Sequence, residues 1–331
     1  MSDIRLMTLT NRRNNPGPDG TPSIYQASLN VLNGPHSLAR HEINKTFTRS
    51  IHHDENQGKT FIDYVNVDNQ KILTVHIVGE VGSESQGTWL GAYPKNLPAH
   101  KLPLNDNSNA HRMVIAARCP TGAPLDLQSA WKGGMGAIEE VLFEDKDAAD
   151  AAREKPSNRN VHEAEGPRER NRPSTSIFQM DADMQAVTPA RKIGDTYDPD
   201  MFSEHRGDFF DHSPSIKVVQ RDYQNVEKSL IAPFELKNVL TEGTFFSAQV
   251  TLHTYIFYGN EVPNKVHHIY VDKLRVLDKG YGAAWQIPIP SFPVAGPSGP
   301  STPSPKKRKE RDDAADDAFG AFDTVTPKKK F

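Results

Sequence analysis

The sequence GTFFSAQVTLHTYIFY, residues 243–258, decides the fold class of this chain. Its β-branched and aromatic residues alternate with a period of two, which is typical of a long β-strand. One face of the predicted strand runs from Phe246 to Ile256 and is mainly apolar. The other face runs from Phe245 to Phe257 and mixes aromatic with polar side chains. The side chains of the first face are therefore predicted to lie in the core, whereas those of the second face are either exposed or covered by a second layer.

The segments around this strand extend the β pattern and add positive charge. Residues 216–223 are predicted to form a strand, residues 230–240 a short helix or loop, and residues 266–277 a returning strand. Exposed rings among cations suit single-stranded nucleic acid, because bases stack on the rings and cations contact the phosphates. The predicted nucleic-acid-binding residues are Phe245, His253, Tyr255, Phe257, Lys217, Arg221, Lys273 and Arg275.

Two quoted runs carry a family resemblance: FELKNVLTEGTFFSAQVTLHTYIFYG, residues 234–259, and KVHHIYVDKLRVLDKG, residues 265–280. They resemble the C-terminal half of OB-folds that bind single-stranded DNA, as in replication protein A and SSB proteins. In that family a glycine follows a short helix and precedes a long bent strand, as Gly243 does here. The resemblance implies an OB-like five-stranded barrel within residues 176–290.

Composition limits the possible classes of protein. The chain has 331 residues, 25 prolines, one cysteine and a formal net charge of −3. A single cysteine excludes an internal disulfide framework and a cysteine-rich zinc site. No apolar run approaches the ~20 residues that span a bilayer, so no membrane partner is predicted. Any affinity for nucleic acid must come from a local patch, because the whole chain is not basic.

The N-terminal half is predicted as a separate β-rich region, giving a mainly β (α+β) chain. A flexible N-terminus covers residues 1–22, a β-rich domain residues 23–145, and a disordered linker or loop residues 146–175. Within the β-rich domain the alternation of residues 25–31 predicts a strand. Residues 60–67 and 71–81 are predicted to pair as strands, and residues 135–152 have helical spacing. Whether this half folds independently stays open.

Residues 291–331 are predicted to be a disordered tail because proline, serine and glycine dominate its beginning. The cations Lys306, Lys307, Arg308 and Lys309 resemble a nuclear localisation signal, which predicts a nuclear import receptor as a partner. Phe319 and Phe322 lie among aspartates and resemble the acidic tip of SSB proteins. That resemblance implies contacts with replication or repair proteins.

The sequence contains no nucleotide-binding loop and no nucleophile motif, so the chain is predicted to be non-catalytic and without a cofactor. The segments around His52 and His205 lack a recognised metal-ligand spacing, and no metal site is predicted. These observations predict a nuclear single-stranded DNA-binding protein. The alternative is a nuclear adaptor that binds protein through the same aromatic face and the Phe319/Phe322 segment.

Overall fold

A computed structural model describes residues 2–17, 20–54, 59–90, 104–105, 112–153, 177–181, 191–198, 210–211, 217–258 and 263–281. The helices in this part are α1 Ser2–Asn14, α2 Ile24–Leu32, α3 Leu125–Arg153 and α4 Leu236–Val239. The first strands are β1 Phe47–Asp54, β2 Lys59–Asn66, β3 Thr74–Val81, β4 Trp89–Leu90, β5 Leu104–Asn105, β6 Arg112–Arg118 and β7 Ile177–Asp181. The remaining strands are β8 Thr196–Tyr197, β9 Phe210–Asp211, β10 Val218–Val219, β11 Asp222–Gln224, β12 Phe245–Tyr258 and β13 Pro263–Asp278.

The predicted mainly β fold is confirmed, and β12 lies at its centre. A nine-stranded sheet has the order β1-β2-β12-β3-β6-β7-β13-β11, with β4 beside β6 and a further pairing between β12 and β13. Most neighbours are antiparallel, while β13 runs parallel to β7 and β11. The strand order has β1 at one end and β11 at the other, and a closed barrel is not shown.

The apolar face of β12 lies in the main hydrophobic core, as its alternation predicts. Phe246, Ala248 and Val250 are at most 1% exposed. They pack with residues such as Leu274 of β13 and Val75 of β3 in one cluster. Each fully buried aliphatic or aromatic side chain contributes roughly 1.5–3 kcal/mol of transfer free energy. This burial explains why β12 is long and continuous.

Strands β2 and β3 follow one another along β12 and do not form the predicted strand pair. Asp63 of β2 lies opposite His253, and Thr74 of β3 lies opposite Thr251. The turn between them closes with a hydrogen bond from the Asn66 amide to the Lys71 carbonyl, and one isolated bridge follows it. Because β12 is longer than β2 or β3, each of these two strands pairs with a different part of it.

Residues 25–31, predicted as a strand, belong to helix α2. The Ser23 hydroxyl accepts a hydrogen bond from the Gln26 amide at 3.1 Å, so Ser23 caps the helix. Such a cap satisfies one of the unpaired amides at a helix start. The buried residues Tyr25, Ser28 and Val31 are spaced by three, which fits a helical face as well as alternation does.

Residues 2–14, predicted as part of a flexible lead-in, form helix α1. Its penultimate residue, Arg13, is 0% exposed and bonds to carboxylates of β3 and β13. These partners lie 67 and 265 residues away in sequence, so no local pattern indicates them. Helix α1 is anchored because its residue Arg13 forms ion pairs inside the protein.

Two further segments differ in extent from the prediction. Helix α3 begins at Leu125 and continues to Arg153, into the predicted linker. Residues 216–223, predicted as one strand, contain β10 and the start of β11, which belong to different sheets. Strands on both sides of the predicted linker share the nine-stranded sheet, since β6 pairs with β7.

Candidate nucleic-acid interface

Helices close the second face of β12 at the strand's beginning. Phe245 is 0% exposed, and its ring meets the Tyr25 ring edge-on at a centroid distance of 5.9 Å. The Arg13 guanidinium lies 5.0 Å from the centroid of the Phe245 ring. Side chains of α2, α3 and the end of β13 pack with Phe245 and form a second hydrophobic core. This burial corrects the prediction that Phe245 stacks on a base, because a base has no access to the ring.

Charged side chains flank the buried Phe245 on both sides. In the register of the sheet, Glu80 of β3 and Asp278 of β13 both lie opposite Phe245. We call Arg12, Arg13, Glu80, Arg118 and Asp278 the Arg13 network. Burial lowers the pKa of Arg13, but hydrogen bonds and charge interactions with Glu80 and Asp278 outweigh it and leave that pKa raised. Arg13 therefore stays charged, and this end of the face is structural.

The far half of the same face carries a group of aromatic rings and imidazoles, which are half-buried except for the buried His268. His253 and Tyr255, both predicted site residues, are intermediate in exposure. We call the following residues the ring cluster: His52, Phe61, His253, Tyr255, His268 and Tyr270.

Cross-strand register brings the ring cluster together. Tyr255 lies opposite Phe61 of β2, and Phe61 lies opposite His52 of β1. On the other side of β12, His253 lies opposite His268 of β13. Residues directly opposite in antiparallel strands share a face and are close enough for their side chains to interact. Four adjacent strands therefore contribute to one patch.

The distances within the ring cluster are those of direct ring contacts. His52 stacks on Phe61 at a centroid distance of 4.9 Å, and His253 meets Tyr270 edge-on at 5.0 Å. The hydroxyl oxygens of Tyr255 and Tyr270 are 3.0 Å apart, which is a hydrogen bond. Rings that support one another in this way have few alternative orientations. The patch is thus a preorganised, partly accessible aromatic surface.

A carboxylate lies at the centre of the ring cluster. The Asp63 side chain is 11% exposed, and its Oδ1 is 2.6 Å from Nδ1 of His253. Its Oδ2 is 3.3 Å from Nε2 of His52. The His52 and His253 side chains are 31% and 18% exposed, so solvent reaches both imidazoles while Asp63 is nearly covered.

The four predicted phosphate-binding cations do not gather at the ring cluster. Arg275 is 1% exposed, which corrects its prediction as a phosphate contact. Lys217 precedes β10 in a separate small sheet and forms an ion pair with Asp198 at 3.2 Å. Arg221 is half-buried next to β11. Lys273 is half-buried opposite Gln249 of β12, so the register places it on the face of the ring cluster.

Several residues of this patch escaped the sequence-based prediction. His52, Phe61, Asp63 and Tyr270 lie on strands whose neighbours in the sheet the sequence does not reveal. Their alternation with Ile51, Ile62 and Ile269 is the available signal, because it predicts a polar face and an apolar face for each strand. His52, whose sequence surroundings show no metal-ligand spacing, lies within β1.

Comparisons with known proteins give no further guide to the patch. No family model, no curated protein and no solved structure matches this chain. Among the described residues, no group of His, Cys, Asp or Glu is arranged to hold a metal ion. Within the same part of the chain, every helix is too short or too polar to cross a membrane.

Other predictions fall on residues outside the described part of the chain. The backbone of Phe257 belongs to β12, but its side chain is outside the description. The same holds for the whole tail, residues 291–331, with its predicted signal Lys306–Lys309 and partner residues Phe319 and Phe322. These predictions stand as made.

Proposed function

We propose that this protein binds single-stranded nucleic acid, with DNA favoured, and that it acts in the nucleus without catalysing a reaction. The observation that carries the proposal is the half-buried ring cluster on one face of β1, β2, β12 and β13. Stacking of a base on an aromatic side chain contributes about 1–3 kcal/mol and tolerates any base. Phe61, His253 and Tyr255 would provide the stacking surfaces, and Lys273 a phosphate contact.

The strand pairings support an OB-like barrel as the scaffold of this function. β12 pairs with β3, β3 with β6, β6 with β7, β7 with β13, and β13 again with β12. This succession of five strands fits the five-stranded, partly open barrel of OB-folds, which bind oligonucleotides on an outer face. The short helix α4 precedes β12, as the family resemblance implies.

One observation favours the alternative, a protein-binding adaptor. Arg275 is buried, and Lys217 is paired with Asp198. Fewer of the described cations therefore lie near the ring cluster than the sequence analysis predicts. Salt dependence separates the two functions. Binding to single strands weakens steeply with salt because neutralised phosphates release counterions. An apolar protein interface responds little to salt.

The direct test measures fluorescence anisotropy of labelled oligo(dT) with the full-length protein. Tyr255→Ala removes one ring and is expected to weaken binding by about 5- to 150-fold, the equivalent of one stacked base. Tyr255→Phe keeps the ring and loses the hydroxyl that is hydrogen-bonded to Tyr270, so it should bind almost as the wild type does.

A second pair of variants controls for position on the sheet. His52 and His53 are neighbours in β1, but His53 is exposed on the opposite face and contacts the Thr60 hydroxyl at 3.0 Å. His52→Ala should weaken binding and His53→Ala should not. Wild-type protein that shows no salt-dependent binding to oligo(dT) would refute the proposed function.

A further inference from the structure

Strand β1 is a long edge strand of the nine-stranded sheet. Among the described strands it pairs with β2 alone, over all eight of its residues and without a register shift. Proteins usually block such an edge with a short strand, a proline, a lysine or a bulge, because an unpaired edge invites another strand. The opposite end of the sheet, β11, is blocked in this way because it has three residues. β1 contains no proline, lysine or bulge.

The hydrogen bonds of β2 show which backbone groups of β1 point to this edge. The Leu73 amide donates to the Tyr64 carbonyl at 2.8 Å, so the backbone groups of Tyr64 point away from β1. Along an antiparallel pair, opposite residues alternately exchange both hydrogen bonds and none. Ile62 is two residues from Tyr64, so it exchanges none with Ile51, its partner in the register. The amides and carbonyls of Ile51 and, two residues on, His53 therefore point to the outer edge.

Ile51 adds an exposed apolar side chain to this edge. It is 58% exposed, and of the exposed large hydrophobic residues in the described part of the chain it is the one that lies in a strand. Its register partner Ile62 is 4% exposed and belongs to the main core. A strand added beside β1 would cover Ile51 and extend the apolar face of the sheet.

We propose that this strand is β1 of a second copy of the chain, paired antiparallel about a two-fold axis at Ile51. The backbone groups of Ile51 in each copy then exchange both hydrogen bonds with those of Ile51 in the other. The same surface is used by both copies, which is the arrangement of a two-fold symmetric dimer. The dimer joins two sheets into one and does not depend on the proposed function.

The side chains of β1 favour this axis over its neighbours. With the axis at Ile51, the two isoleucines cover one another, and Arg49 lies opposite His53 of the second copy. An axis at Arg49 would place two guanidinium groups opposite one another, and like charges in that position are destabilising. An axis at Ser50, His52 or His53 would place Ile51 opposite a polar residue. The axis at Ile51 therefore matches the apolar side chain with an apolar partner.

The same pairing brings the two ring clusters onto one face of the joined sheet. A two-fold axis perpendicular to a sheet keeps each face on its own side, so His52 of one copy lies opposite Ser50 of the other. One longer single strand could contact both clusters, because the second contact is then intramolecular and gains effective concentration. This consequence rests on the proposed function, whereas the dimer itself does not.

The size of the contact sets the expected strength of the dimer. Specific interfaces usually bury about 1,200–2,000 Å². One pair of eight-residue edge strands lies at the low end of this range or below it. We therefore expect a dissociation constant of about 10–100 μM, so the dimer forms as the protein concentration rises through this range.

Sedimentation velocity of the full-length protein from about 1 μM to about 0.3 mM tests the dimer. The mass should rise from 36.8 kDa towards twice that value. Ile51→Lys places two like charges at the axis and should weaken association about tenfold. Ile193 is 63% exposed and precedes β8 in a separate sheet, so Ile193→Lys should associate as the wild type does. A wild-type protein that stays monomeric at about 0.3 mM, or an Ile51→Lys variant that associates equally well, refutes the dimer.

Cysteine crosslinking tests the position of the axis. Cys119 is the single cysteine, so Cys119→Ser provides a background without thiols. Residues that exchange both hydrogen bonds have Cα atoms about 5.5 Å apart, which a disulfide can span. In this background Ile51→Cys should therefore give a covalent dimer with the oxidant diamide. His53→Cys is the control on the same strand, because four residues of offset separate its two copies by about 14 Å.

The outcomes separate this inference from the proposed function. Equal crosslinking at residues 51 and 53, crosslinking at residue 53 alone, or crosslinking at neither refutes the axis at Ile51. If the protein dimerises as described but binds no oligo(dT), the proposed function fails and the dimer stands. If the protein binds oligo(dT) but remains monomeric, the proposed function stands and the dimer is refuted. Circular dichroism establishes that each variant is folded.

Discussion

Replacement of Arg13 by methionine should destabilise the protein severely. The Arg13 side chain is fully buried, with Nη1 2.6 Å from Oε2 of Glu80 and Nε 2.8 Å from Oδ2 of Asp278. Its Nη2 donates to the Gly243 carbonyl at 2.6 Å. Methionine fills similar volume without charge, so both carboxylates lose a buried partner. Removing one member of a buried ion pair typically costs about 3–5 kcal/mol.

The remaining partners of the two carboxylates place the expected loss at the lower end of that range. Glu80 keeps Arg118 and two hydrogen bonds from Thr121, at 3.0 Å from the amide and 2.8 Å from the hydroxyl. Asp278 keeps Arg12 at 2.7 Å. We therefore expect a loss of about 3 kcal/mol. That loss is a large part of the 5–15 kcal/mol that stabilises a typical domain.

Urea unfolding followed by circular dichroism measures this loss, and the adjacent residue provides the matched control. Arg12 pairs with the same Asp278, but its side chain is 51% exposed. Exposed ion pairs contribute about 0–1 kcal/mol, so Arg12→Met should change the free energy of unfolding by less than about 1 kcal/mol. If Arg13→Met is as mild as Arg12→Met, the Arg13 network does not anchor α1.

Three further predictions concern other parts of the chain. Burial raises the pKa of Tyr197 to about 12. Between about pH 10 and 12 this tyrosine therefore ionises in the unfolded chain but not in the folded protein, and the free energy of unfolding falls by about 1–3 kcal/mol. Urea unfolding of Tyr197→Phe should show no such contribution. Replacing the four cations of residues 306–309 by alanine should abolish nuclear accumulation of a fluorescent fusion, and equal accumulation would contradict the import signal. Deletion of residues 312–323 should tighten binding to oligo(dT) at low salt, because carboxylates compete with phosphates; unchanged affinity would refute this competition.

The alternation in residues 243–258 was sufficient to predict the strand, its core face and the mainly β fold. It could not predict how much of the second face is covered. Phe245 and Tyr255 lie on the same face, yet ten residues of strand separate them by roughly 34 Å. Helices α2 and α3 pack at the Phe245 end, so one ring is core and the other is half-buried. Alternation assigns a side chain to a face but contains no information about the layer above that face.

Sequence reasoning was also unable to identify which polar residues meet. Asp63 is 190 residues from His253, and its position in the ring cluster depends on β2 pairing with the second half of β12. The turn at residues 66–71 looks like that of a simple hairpin, which would place β2 and β3 side by side. The actual arrangement follows from the length of β12, since a long strand needs two partners along the same edge.

Arginines neutralise the carboxylates of the Arg13 network, which predicts that the contribution of this network to stability does not change near neutral pH. Arginine is permanently charged in proteins, and the raised pKa of Arg13 keeps its contribution to stability fully present below about pH 12. The free-energy loss caused by Arg13→Met should therefore be the same at about pH 8 and about pH 6. If the Arg13→Met loss differed between these two values of pH, the explanation of this end of the face by permanently charged arginines would be wrong.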